Sequence, residues 1–178
     1  MSSDMNLPTP NSASAPTLIT VSGDTPANDW VVLADDEPIG SDGPYVLGFD
    51  RALSELDGLN GRYGVRVLPG QDVRQLASWL DKIALFEVAF PGYRDGRGYS
   101  TARILRQDLS FTGPVRAVGD VLRDQLLLMA RCGFDQFVIK DHDPAGALTW
   151  ALGSFTTYYQ SAADAHLPTW ALRHQISA

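Results

Sequence analysis

The chain has 178 residues, the length of one domain, and its 44% hydrophobic and 20% charged content with a mean hydropathy of −0.10 is ordinary globular usage. That excludes collagen-like, mucin-like and wholly disordered chains. A net charge of −7 argues against general duplex binding, which relies on a broad basic surface, so no nucleic acid partner is expected.

Residues 1–16 are rich in Ser, Pro and Asn without hydrophobic period and read as a disordered lead. Two short β-type runs follow, Leu18–Val21 and Trp30–Ala34, divided by Gly, Asp and Pro, and are expected to form a small antiparallel β ribbon. From Tyr45 the pattern becomes strand–helix alternation. Apolar runs of strand length are Tyr45–Phe49, Val65–Leu68, Ile83–Phe90, Val115–Gly119 and Phe137–Lys140. Helical patterns fall between them at 51–57, 72–82, 99–107 and 121–132, and a fifth follows at 144–159. Asp120 is the expected N-cap of the fourth helix, and Gly133 its stop. Asp143 and Pro144 open the fifth, on which Leu148, Leu152, Phe155 and Tyr159 make one apolar stripe.

Short alternating βα units imply parallel strands with helical crossovers. The expected fold is therefore α/β: a parallel sheet of about five βα units, open or half-barrel-like, since a complete eight-unit barrel usually needs 200 or more residues. The domain spans 17–160, followed by a tail at 161–178. A partial barrel leaves an apolar edge that a homodimer would cover. No apolar run is longer than that at Leu126–Ala130, far short of the about 20 residues that span a bilayer, and no basic segment followed by an apolar one opens the chain. The expected compartment is the cytoplasm, with no membrane partner.

Seven of the twelve arginines lie between Arg94 and Arg131, so residues 94–140 carry a net +3 within an acidic chain. This segment suits a small anion or an acidic partner. In parallel sheets functional groups gather where strands end, and three successive strand ends are polar: 91–100, 119–124 and 140–143. Gly96 and Gly98 allow backbone N–H groups to turn outward ahead of a helix, Arg97 could add a bidentate fork, and Ser100 either adds a hydroxyl or caps the helix. Gly119, Arg123 and Lys140 complete the candidate anion or substrate set, with Asp95 and Asp120 as acid/base candidates. Arg103 and Arg106 read as surface charges. A dinucleotide site is not expected: five residues separate Phe90 from Gly96, and Thr101 replaces the third glycine of the phosphate-binding turn.

Cys132 is the sole cysteine, which excludes an internal disulfide, a cysteine-based zinc site and an iron–sulfur cluster. Its place at the end of a helix disfavours a thiolate, so a structural role is expected. His142 with Asp141 and Asp143 reads as a cap and turn charges, so neither a metal nor any other cofactor is expected.

Three blocks carry a resemblance: Phe90-Pro91 with Asp95–Ser100, Ala102-Arg103 and Leu105-Arg106; then Arg116–Gln125; then Arg131–Asp135. Across roughly 28–160 the chain resembles domain-of-unknown-function family 934, with Tyr93 where the family usually has Phe. Members are often labelled oxidoreductases of sulfite reduction, and their genes commonly lie beside a sirohaem sulfite/nitrite reductase haemoprotein. The resemblance implies a role in assimilatory sulfur metabolism and that reductase as partner, but supplies no catalytic residues. Redox chemistry needs a cofactor or paired thiols, and the sequence offers neither. The expectation is an accessory protein with an anion- or partner-binding cleft. The alternative is a small-molecule enzyme acting on an anionic substrate at the strand ends.

Overall fold

The computed structural model describes residues 15–40, 43–164 and 166–175. The expected disordered lead lies almost wholly outside them. The strands are β1 (Thr17–Thr20), β2 (Val31–Val32), β3 (Tyr45–Gly48), β4 (Tyr63–Val67), β5 (Ile83–Phe90), β6 (Val115–Gly119) and β7 (Gln136–Ile139). They form one sheet in the order β1-β7-β6-β5-β4-β3-β2, with β2 to β7 parallel and β1 antiparallel to β7. The spatial order thus advances steadily with the sequence from β2 to β7. Right-handed crossovers in such an order put every helix on one face and curl the sheet about the other. The result is an open half-barrel, as expected from the five alternating units.

Strand alternation divides the side chains between the faces. Leu47, Val65, Phe86 and Val115 share one row, with Ala117 beside Phe137 and Phe137 beside Ile19. These form the core with the helices α1 (Phe49–Glu55), α2 (Arg97–Arg103), α3 (Leu126–Cys132) and α4 (Pro144–Gly153), whose Ala52, Ala102, Met129 and Leu148 are buried there. The inner face carries a different row, Arg66–Glu87–Arg116–Gln136, one residue from each of β4 to β7.

The N-terminal β-elements are present, but they sit at opposite edges of the sheet rather than pairing as a ribbon. The chain between them, Val21–Trp30, crosses the inner face as a strap. Asn28 accepts from Arg116 Nη1 at 2.8 Å, and the Trp30 ring packs over Gly64 so closely that a Cβ there would meet it at 3.2 Å.

The helices differ from the periodicity in several places, the first being the pattern at 72–82, which folds as a 3-10 helix over Val73–Trp79. After β6 the chain makes a single 3-10 turn at Arg123–Gln125 before α3 begins, so Asp120 does not cap it. Gly133, at φ +106°, ends α3 where expected. Asp143 caps α4, accepting from Gly146 N–H at 2.9 Å, but α4 stops at Gly153. Phe155 and Tyr159, 63% and 79% exposed, therefore lie beyond the stripe. The segment read as a tail carries a further helix, α5 (Thr169–Gln175). The chain before it is held by Arg131, which pairs with Asp164 at 2.9 Å and lies 3.8 Å from the Tyr158 ring centre.

Helix α2 continues as a π-turn, Ile104–Asp108, and packs tightly on β5. A Cβ at Gly98 would lie 2.6 Å from the Phe90 ring. Gly98→Ala should therefore lose about 1–3 kcal/mol in urea unfolding, through displacement of α2 or Phe90. An unchanged midpoint would mean that this approach is not needed.

Candidate functional site

The loops after β5, β6 and β7 open on the same edge of the sheet, as parallel pairing requires. Two of them are tied together. Gly119 leaves β6 at φ +101°, and a Cβ there would run into the Phe90 carbonyl oxygen. The Asp120 N–H donates to that oxygen at 2.8 Å, and the Asp120 carboxylate accepts from Tyr93 N–H at 2.9 Å. The Gln125 side chain donates to the Tyr93 carbonyl at 2.8 Å and accepts from Leu122 N–H at 3.2 Å. Asp120 thus fastens the preceding loop. Gln125 is its counterpart, and nothing in its local spacing marks it out.

Between these loops and the end of β7 lies a recess of about 540 Å³, floored by Phe90, Val121 and Val138 and bordered by Pro16, Asp120 and Lys140. A smaller recess of about 280 Å³ adjoins it, lined by Leu122, Arg123, Asp124, Lys140 and Asp141. Lys140 borders both, is exposed, and has no hydrogen bond or ion pair among the described residues. Arg123 has no carboxylate partner there either; its guanidinium stacks 5.0 Å from the Trp150 ring centre. Asp141 accepts from Asp143 N–H at 2.9 Å and stands 3.3 Å from His142 Nδ1. The edge therefore offers two available cations over an apolar floor.

Gly119, Asp120, Arg123 and Lys140 come together around these recesses. Gly96, Arg97, Gly98 and Ser100 line neither. Arg97 instead grips Asp95 through both carboxylate oxygens, at 2.9 and 2.6 Å, while its N–H donates to the same group at 3.2 Å. These bonds hold the Asp95 carboxyl below the usual carboxylate range. The start of α2 is thus met by the chain's own carboxylate. Gly98 lies buried beneath Phe90, and Ser100 is exposed within α2, whose N-cap is Gly96.

A third recess of about 470 Å³ opens where β3 and β4 end, among Asp35, Asp50, Arg51, Glu55, Arg66 and Gln71, none of them singled out by the sequence. Arg51 is occupied by Glu55 at 3.0 Å and by the Ala34 carbonyl. Arg106, read as a surface charge, instead reaches inward to the carbonyls of Phe111, Gly113 and Gly133 and to Asp135.

Cys132 ends α3 as a free, half-buried thiol, pushed up by burial despite Arg103 and Arg131 nearby. Burial, and then the neighbouring Cys132 and Asp124, raise the Tyr99 hydroxyl to about 12. Neither group supplies a nucleophile near neutrality. Cys132→Ala should cost about 1 kcal/mol of packing and leave function in place. Loss of function in a folded Cys132→Ala protein would restore a redox role. No group of three or more His, Cys, Asp or Glu is arranged to hold a metal among the described residues, and no described helix is long and apolar enough to cross a membrane.

No curated protein matches the chain. Residues 64–170 match the family described as bacterial protein of unknown function (DUF934), a span that takes in all three sequence blocks and extends past residue 160 into α5. Since that match covers more than half of the chain, the protein belongs to the DUF934 family.

Proposed function

We propose that the protein is a cytoplasmic accessory of assimilatory sulfate and sulfite reduction, acting with a sirohaem sulfite/nitrite reductase through the recess at the ends of β5, β6 and β7. The family resemblance supports the pathway. The availability of Lys140 carries the mode of action: a cation without a carboxylate partner among the described residues, beside an apolar floor, suits an anionic group, whether a small oxyanion or an acidic side chain of the reductase. Arg123, held on Trp150, adds a second positive charge at the rim. Asp120 and Gln125 shape the recess by fixing the Tyr93 backbone. Both carboxylates first considered for acid/base work are engaged, Asp95 by Arg97 and Asp120 by Tyr93 N–H, which favours binding over autonomous catalysis.

Deleting the gene should impair growth on sulfate or sulfite as sole sulfur source, with rescue by cysteine. Complementation should work with the wild-type gene and fail with Lys140→Glu at equal protein abundance. Normal growth of the deletion strain on every sulfur source would reject the role.

A further inference from the structure

The inner face of the half-barrel carries two guanidiniums in ion pairs with a single carboxylate among the described residues. In the row Arg66–Glu87–Arg116–Gln136, two guanidiniums share one carboxylate: Arg66 at 2.6 Å and Arg116 at 3.1 Å from Glu87. The side chains of Glu87 and Arg116 are each 3% exposed, that of Arg66 34%. Arg116 donates from Nε to Gln136 at 2.9 Å and from Nη1 to both Glu87 and Asn28. Its Nη2 makes no hydrogen bond among the described residues. No fully buried side-chain nitrogen or oxygen there lacks a partner, so this amino group reaches solvent. The group covering Arg116 from the strap is a neutral amide, and Asn28 itself is exposed and free to yield. A nearly desolvated cation with an open donor, sharing its paired carboxylate with a second guanidinium, is a place for a further anion.

We propose that the inner face binds a small oxyanion or carboxylate group, which accepts hydrogen bonds from Arg116 Nη2 and from Nη1 in the position now taken by Asn28 Oδ1, with Arg66 contributing charge from two strands away. This site stands apart from the recess at Lys140. Arg116 lies near the start of β6 beneath the strap, whereas Lys140 follows the far end of β7. Burial also holds the Arg116 guanidinium below its ordinary range, against the pull of the Glu87 and Asp135 carboxylates.

The test uses the full chain and inorganic sulfate, balanced with chloride at constant ionic strength, and reads the melting midpoint. Wild type should gain about 3–6 °C at a tenfold excess over the dissociation constant. Asn28→Asp places a carboxylate on the same seat, so its midpoint should rise without sulfate and its sulfate response should fall at least threefold. Asn28→Ala vacates the seat and should respond at least as strongly as wild type. Lys140→Met removes the cation of the recess and should still show a response, which adding Asn28→Asp to it diminishes; this separates the inner face from the recess. Absence of a sulfate response in wild type, an undiminished response in Asn28→Asp, a reduced one in Asn28→Ala, or its loss in Lys140→Met would each overturn the proposal.

Discussion

Replacing Glu87 with alanine is expected to remove about 3–5 kcal/mol of stability, the largest single effect in this protein. Glu87 is the one carboxylate between Arg66 and Arg116, and the Arg116 side chain is almost wholly out of water. Without it the buried guanidinium keeps only the neutral partners Gln136 and Asn28, and its desolvation is no longer offset. Natural domains have only about 5–15 kcal/mol in total, so Glu87→Ala should unfold at much lower urea and could fail to accumulate. Arg66→Met is the control: Arg66 is one-third exposed, and its pairing should be worth about 1 kcal/mol. A Glu87→Ala protein as stable as Arg66→Met would show that water, rather than the ion row, satisfies Arg116.

Gly119→Ala is expected to lose about 2–4 kcal/mol, because two penalties coincide at one atom. The φ of +101° is a conformation that side chains rarely adopt, and the added Cβ would meet the Phe90 carbonyl, which is backbone and cannot rotate away. The functional consequence should exceed the loss of stability. Gly119 sets the position of Asp120, and Asp120 fixes Tyr93 N–H, so relaxing the turn uncouples the two loops that shape the recess. Urea unfolding gives the first effect, and hydrogen exchange at the Tyr93 amide gives the second. Unchanged protection of that amide would separate the turn from the site.

The regular part of the fold was legible because it is written in local patterns. Runs such as Ile83–Phe90 and Val115–Gly119, alternating with helical spacing, imply parallel strands, and Gly133 and Asp143 act on their own neighbours. What failed to show depends on distant partners. Asp120 before a helical pattern looks like a cap, yet the same carboxylate accepts from Tyr93, 27 residues earlier. Two short β-runs close in sequence suggest a hairpin, but the open edges of the half-barrel each take one and leave a strap between them. Phe155 and Tyr159 keep helical spacing, although α4 ends at Gly153 and leaves both outside. The inner row did leave a trace: Arg66, Glu87 and Arg116 each stand between two apolar residues within a strand. Read together, three such interruptions in successive strands signal one polar row.

The accessory role is tested most directly by co-expressing the tagged full chain with a sirohaem sulfite reductase, then measuring the reductase that co-purifies and its sulfite-reducing activity. The wild-type chain should retain the reductase and raise its activity or yield, and Lys140→Glu, folded to the same degree, should do neither. Equal retention and activity with Lys140→Glu, or reductase activity and yield unaffected by the presence of the chain, would contradict the role assigned to the recess.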